Sequence, residues 1–143
     1  MPVVFNINNN QINGVDKAPE WIKKGLDNIA IKFAEEFGKR LVQPNGNRNE
    51  ALTTSQIRNI YGEILRLKMK KVDRTSLLLL KPRMAYMTKR KGTIGSKEFH
   101  EVMEKALDEV LNSSNEDELN ERFQNFANFF EAILAYHRSF GGK

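Results

Sequence analysis

The C-terminal segment of this chain has an apolar face too broad for a helix on the surface of a small domain. Its apolar residues recur at steps of three and four, which is the period of an α-helix. They are Leu119, Phe123, Phe126, Phe130, Ile133 and His137, widened by Phe129, Ala132, Tyr136 and Phe140. A helix that is apolar over so much of its circumference is covered by neighbours on several sides. The pattern predicts a central helix that ends near Phe140, with other helices around it.

Four earlier segments have the same period. The first has Pro19 in its first turn and is ended by Gly38 and the QPNGNRN stretch at residues 43–49. The second begins at Thr53 or Thr54, where Thr53 and Gln56 have capping-box spacing. The third covers residues 77–91, and Pro82 either kinks it or lies in its first turn. No segment alternates with period two for long. The sequence therefore predicts an all-α fold, a compact bundle of about five helices.

Serines predict where two further helices begin. Ser96 is placed to cap the fourth helix, and Ser113 with Glu116 has capping-box spacing before the last helix. The Asn-rich residues 1–15 show no helical period, so they are interpreted as a flexible arm that precedes one domain at residues 16–143.

Composition narrows the class of protein. The chain has no cysteine, which excludes disulfides, thiolate metal sites and a cysteine nucleophile. Its N-terminus lacks the pattern of a secretory signal, and the longest aliphatic run, residues 77–80, is far below the roughly 20 residues of a membrane helix. We therefore expect a cytoplasmic protein with no membrane contact. A pI near 9.5 favours acidic partners, nucleic acid first.

Basic and acidic residues are concentrated in different segments of the chain. Residues 53–97 contain twelve basic residues against Glu63 and Asp73, whereas residues 98–121 contain nine acidic residues against Lys105. A basic middle segment is typical of a polyanion-binding surface, although charge runs are more often solvated helix faces. The acidic segment is interpreted as a solvated face, or as a contact between copies of the chain.

Catalytic signals are nearly absent. No nucleotide-binding, hydrolase or metalloprotease motif occurs, and the two histidines are His100 and His137. His100 with Glu101 and Glu104 suggests a metal site only weakly, because such groupings are common by chance. His137 lies on an apolar stripe and is interpreted as a core residue. We expect no enzyme activity, no metal and no cofactor.

The basic positions have a more specific geometry. Arg83, Tyr86 and Arg90 are spaced to share one helix face, which offers guanidinium groups and a ring to an RNA backbone or an unstacked base. Arg58 and Arg66 project away from the apolar stripe of the preceding helix. Such a surface recognises the backbone and the shape of the RNA and does not recognise its base sequence. The predicted RNA-binding residues are Arg58, Arg66, Arg83, Tyr86, Lys89, Arg90, Lys97 and Arg138.

Three strings together resemble a known family. They are LTTSQIRNIYGEI at residues 52–64, LLLLKPRMAYMTKR at 77–90 and FFEAILAYHRSFGGK at 129–143. They resemble the small subunit of type III-A (Csm) CRISPR effector complexes. The resemblance implies an all-α, non-catalytic protein, present in tandem copies beside guide and target RNA and other subunits in antiviral defence. It also implies RNA contacts at Arg58, Arg83, Arg90, Arg138 and Lys143. The alternative is a helical adaptor whose basic face binds an acidic protein.

Overall fold

A computed structural model describes residues 17–89 and 92–142 and shows six α-helices joined by short turns. The helices are α1 (Ala18–Lys24), α2 (Asn28–Val42), α3 (Thr54–Lys68), α4 (Arg74–Lys89), α5 (Ile94–Leu111) and α6 (Glu116–Ser139), with 3-10 turns at Pro44–Gly46 and Arg48–Glu50. The described ranges contain no strand, so the all-α prediction is confirmed. The division into an arm at residues 1–15 and one domain at 16–143 stays a prediction, since the arm lies outside the described residues.

The first predicted helix is two helices, which raises the count from about five to six. The chain leaves helical geometry at Gly25, whose φ of 100° is a conformation that favours glycine. Asp27 then begins α2, and its carboxylate accepts a hydrogen bond of 2.8 Å from the backbone N–H of Ala30. Gly38 does not end the helix, but the QPNGNRN stretch does, because α2 continues to Val42 and Gln43 is its C-cap.

Each of these helices begins after a residue whose backbone conformation suits an N-cap. The Thr53–Gln56 capping box at the start of α3 is confirmed. The predictions from Ser96 and Ser113 are wrong, since Thr93 caps α5 and Asn115 caps α6. Both capping residues have extended φ and ψ, and each side chain accepts the N–H three residues on.

Pro82 lies inside α4, so it neither starts this helix nor stands in its first turn. It cannot donate to the carbonyl of Leu78, which is the acceptor four residues earlier. Leu78 is 49% exposed, so the missing bond falls on the solvent side of the helix. The loss is tolerable there, because water satisfies an exposed carbonyl.

Helix α6 lies at the centre of the bundle, as its broad apolar face predicts. It packs against α1, α2, α3 and α5, and it buries Phe123, Phe126, Phe129 and Phe130. The ring of Phe130 is stacked on Tyr61 of α3 at 5.6 Å. Helix α4 is peripheral, with its main contacts to α3 and α5. None of the described helices combines the length and apolarity that crossing a bilayer requires.

Candidate nucleic-acid interface

Five helix ends meet at one end of the bundle, where α3 and α5 begin and α2, α4 and α6 finish. The backbone N–H of Leu52, just before α3, donates to the carbonyl of Leu41 on α2 at 3.0 Å. Nε2 of His137 on α6 lies 2.7 Å from the carbonyl of Leu52. The amide of Gln56 on α3 donates to the carbonyl of Met87 on α4 at 3.4 Å. Basic residues from distant parts of the sequence are therefore brought to one end of the bundle.

Three of the predicted RNA-binding residues lie at this end of the bundle. Arg58 is near the start of α3, Lys97 is in the first turn of α5, and Arg138 is in the last turn of α6. All three are exposed, and none forms an ion pair with another described residue. Their charges are available to a ligand, because no carboxylate in the described part of the chain neutralises them.

Two more exposed cations, which sequence reasoning missed, lie at the same end of the bundle. Nζ of Lys39, near the end of α2, lies 5.8 Å from the ring centroid of Phe140. A Cβ added at Gly141 would lie 4.0 Å from Nη2 of Arg48, so the chain after α6 also approaches this side chain. The helical period continued past Gly38 would have indicated Lys39. We call the five cations the basic end: Lys39, Arg48, Arg58, Lys97 and Arg138.

Arg66 and Arg83 share one carboxylate instead of standing free. Nη2 of Arg66 lies 2.8 Å from Oε2 of Glu63, and Nη1 of Arg83 lies 3.0 Å from the same oxygen. The hydrogen bond from Arg66, together with the charges of both arginines, lowers the pKa of Glu63. The carboxylate thus stays ionised and cancels part of the positive charge that the sequence pattern assigns to this face.

The remaining predicted residues are on α4 or just beyond it. Tyr86 is 67% exposed on the outward side of the helix. Lys89 is the last residue of α4, and Arg90 lies outside the described residues. The predicted face of Arg83, Tyr86 and Arg90 is therefore located only for its first two members.

The acidic segment is largely engaged within the chain. Glu98 is buried and accepts two hydrogen bonds from Arg40, at 2.7 and 2.6 Å. The carboxylates of Glu109 and Glu118 both contact Arg122, at 3.1 and 2.9 Å. Five of the nine acids have intramolecular basic partners: Glu98, Glu104, Asp108, Glu109 and Glu118. The segment is therefore less of a free acidic surface than its sequence indicates.

One ion pair joins the acidic segment to the neighbouring helix α4. Oδ1 of Asp108 on α5 accepts a hydrogen bond of 2.7 Å from Nζ of Lys81 on α4. This bond raises the pKa of Lys81, which keeps the lysine charged.

The two histidines have different surroundings. Nε2 of His100 lies 3.3 Å from Glu104, and the described residues contain no group of three or more possible ligands that could hold a metal ion. His137 is fully buried, and its burial lowers the pKa of the imidazole. Its neutral ring joins α6 to the carbonyl of Leu52, which is a structural role.

Comparison with protein families gives one match. The family model described as Csm2 Type III-A matches residues 24–143. This chain belongs to that family. The match extends over α2 to α6 and over every predicted RNA-binding residue, and it makes the chain a subunit of a type III-A CRISPR complex. No curated protein and no solved structure matched the chain.

Proposed function

We propose that this Csm2 family member is a non-catalytic RNA-binding subunit, which holds guide or target RNA by its sugar–phosphate backbone during antiviral defence in the cytoplasm. The observation that carries the proposal is the basic end, where five exposed cations from four helices and a 3-10 turn lie at the same end of the bundle. Membership of the Csm2 Type III-A family supports RNA as the polyanion, because the chain is a subunit of a CRISPR complex.

The proposed mechanism is electrostatic. The guanidinium groups of Arg48, Arg58 and Arg138 each donate two hydrogen bonds to phosphate oxygens. The ammonium groups of Lys39 and Lys97 act as point charges. Binding releases counterions from the RNA, so affinity falls steeply as salt rises. Sequence recognition is left to pairing between guide and target. No cofactor and no chemical step is needed.

The predicted residues divide into two groups by their surroundings. Arg58, Lys97 and Arg138 lack described ion-pair partners, so they are the stronger RNA contacts in this proposal. Arg66 and Arg83 make weaker contacts, because Glu63 already accepts hydrogen bonds from both. The proposal also retains Tyr86, Lys89 and Arg90, which lie on α4 or follow it.

Tandem copies complete the proposed mode of action. A single copy binds a short stretch of backbone weakly, whereas neighbouring copies on one RNA raise the effective affinity through their joint attachment. Binding is therefore expected to tighten with RNA length once two copies fit on the strand.

A filter-binding titration at several salt concentrations tests the proposal. We expect the wild-type chain to bind single-stranded RNA, and Arg58→Ala, Lys97→Ala and Arg138→Ala each to reduce the log–log salt slope by about 0.7. Lys24→Ala is the matched control, because Lys24 is also an exposed cation but lies on α1, away from the basic end. The adjacent residue, Lys23, contacts Glu109 on α5.

The titration has two contrary outcomes. If the three variants and the control bind alike, the residue assignment is wrong. If the wild-type chain binds no RNA even at low salt, the alternative of a helical adaptor for an acidic protein is favoured instead.

A further inference from the structure

Phe140 differs from the other phenylalanines in the part of the chain that the structure describes. It is 36% exposed, whereas the other seven are each at most 1% exposed in the core. Single apolar residues are common on protein surfaces, so exposure by itself assigns no role to the ring. The surroundings of Phe140 carry the inference.

The turn after α6 fixes the position of Phe140 without using its ring. Phe140 is the C-cap of α6, and Gly141 follows it with a φ of 89°. The N–H of Gly141 donates to the carbonyl of Arg138 at 3.0 Å, and the N–H of Gly142 donates to that of His137 at 2.9 Å. These are the two hydrogen bonds of a Schellman cap, and Gly142 packs on the His137 ring, where an added Cβ would collide with the imidazole. The helix therefore ends without any contribution from the aromatic ring of Phe140.

Two cations lie close to Phe140 or to the residue that follows it. Nζ of Lys39 lies 5.8 Å from the centroid of the Phe140 ring, within the range of a cation–π contact. A Cβ added at Gly141 would lie 4.0 Å from Nη2 of Arg48. Neither Lys39 nor Arg48 forms an ion pair with another described residue. An exposed ring beside two uncompensated cations has the chemistry of a site for single-stranded nucleic acid.

A close approach of α2 to α6 brings Lys39 to this ring. Gly38 precedes Lys39, and a Cβ at Gly38 would lie 2.7 Å from Cβ of Tyr136. Tyr136 is one turn before Phe140 on the same side of α6. The two helices therefore meet at this level because Gly38 has no side chain, and the next residue of α2 is carried beside the ring.

We propose that Phe140 is a stacking platform for one unpaired nucleobase of the bound RNA. The base lies against the phenyl ring, and Lys39 and Arg48 pair with the phosphates next to that base. Lys39 exchanges its contact with the ring for an ion pair with phosphate. The site accepts any of the four bases, because each of them has an aromatic face. The inference rests on the proposed function and adds a contact with a base to its contacts with the backbone.

An apolar side chain of another protein is the alternative occupant of this ring. Such a contact would take Lys39 and Arg48 out of water together with the ring, and desolvating unpaired charges is unfavourable. RNA supplies an apolar base face for the ring and phosphates for both cations. The observed neighbours of Phe140 therefore favour RNA over an apolar protein surface.

The salt dependence of RNA binding separates stacking from charge pairing. Removing a stacked base contact lowers affinity without changing the number of counterions released, whereas removing one cation reduces the log–log salt slope by about 0.7. We expect Phe140→Leu to weaken filter binding of single-stranded RNA at least about fivefold with an unchanged slope. Phe140→Tyr, which keeps an aromatic ring, should bind as the wild-type chain does. Arg138→Ala provides the contrast, since it should change the slope.

Ile29→Ala is the matched control for loss of an exposed apolar side chain. Ile29 is 40% exposed and lies in the first turn of α2, at the opposite end of that helix from Lys39. This variant should bind RNA as the wild-type chain does. An equal loss of affinity in Ile29→Ala and Phe140→Leu would overturn the inference, because it would assign no special role to the ring.

An abasic strand tests the stacking on the wild-type chain, whether or not a variant folds. It has the same length and charge as its base-bearing counterpart and lacks only the bases. The wild-type chain should bind it at least about fivefold more weakly with the same salt slope, and Phe140→Leu should remove most of that difference. Equal binding of both strands by the wild-type chain, or a difference that persists unchanged in Phe140→Leu, would show that the ring stacks on no base.

The same titrations separate this inference from the proposed function. If the wild-type chain binds RNA and Phe140→Leu binds it equally well at every salt concentration, the inference alone is wrong and a protein contact remains for the ring. If the wild-type chain binds no RNA even at low salt, the proposed function is wrong and the stacking site is excluded with it.

Discussion

Arg40 and Glu98 form a buried, two-pronged ion pair between α2 and α5. Nε and Nη2 of the arginine donate to the two carboxylate oxygens at 2.7 and 2.6 Å, and the side chains are only 5% and 6% exposed. Neither residue belongs to a surface, although Glu98 stands at the start of the acidic segment. The pair fixes α2 against α5 close to the basic end.

The first prediction concerns this pair. Arg40→Met should lower the free energy of unfolding by about 3–5 kcal/mol, because it leaves the Glu98 carboxylate buried without a partner. The double variant with Glu98→Met should recover most of that loss. Urea denaturation of both variants measures the difference. Arg66→Met is the control, since its exposed pair with Glu63 is worth about 0–1 kcal/mol. Equal destabilisation of the single and double variants would contradict the prediction.

The second prediction compares two glycines in helices. A Cβ at Gly38 would lie 2.7 Å from Cβ of Tyr136 and 2.8 Å from the backbone nitrogen of His137, so Gly38→Ala should destabilise the fold by about 1–3 kcal/mol. At Gly62, inside α3, an added Cβ would have no atom within 4 Å, so Gly62→Ala should stabilise by about 0.5–1 kcal/mol. Thermal and urea denaturation of both variants test the opposite signs. Two changes of the same sign would be inconsistent with this packing.

The third prediction concerns pH. Burial lowers the pKa of His137 below its ordinary value of 6.5, so the unfolded chain binds a proton at this position more readily than the folded one. The stabilisation from a neutral His137 is therefore complete above about pH 6.5 and is lost as pH falls through the lower folded pKa. Urea denaturation of the wild-type chain and His137→Gln between about pH 7.5 and pH 5 measures it. The wild type should lose stability more steeply on acidification, and parallel pH profiles would refute the assignment.

The fourth prediction tests the role of Glu63. Glu63→Gln removes the charge that Arg66 and Arg83 share, which releases two guanidinium groups for binding to phosphate. RNA affinity should rise, and the log–log salt slope should steepen by about 0.7 for each additional phosphate that a released arginine neutralises on single-stranded RNA. The exposed Glu35→Gln on α2 is the control for a general change in net charge. An equal effect of the two variants would assign the rise in affinity to net charge alone.

Much of the fold follows from local patterns. The apolar period of α6 indicates its central position, and Thr53 with Gln56 marks the start of α3, because both signals act within one helix. The break after α1 was harder to predict. Apolar spacing continues through Leu26 and Ile29 as though one helix ran on, and only the left-handed backbone at Gly25 with the cap at Asp27 divides it.

The candidate interface depended more on tertiary structure. The sequence indicated Arg58, Lys97 and Arg138 as exposed cations, but nothing local groups them with Lys39 and Arg48. Nor does spacing within α4 reveal that Arg83 reaches Glu63 on α3, at a separation of 20 residues. Ion pairs between helices depend on which faces meet, and that is decided when the helices pack.

The sequence by itself determined the helical class of this protein, its central helix and the family to which it belongs. These properties are carried by helical periodicity and by contiguous strings such as LKPRMAY. Only the tertiary structure decided which charges remain available. Packing buried Glu98 against Arg40, placed the carboxylate of Glu63 in contact with two arginines and left Leu79 and Tyr86 exposed. The physical reason is that a side chain's net charge and exposure depend on neighbours brought from distant parts of the chain.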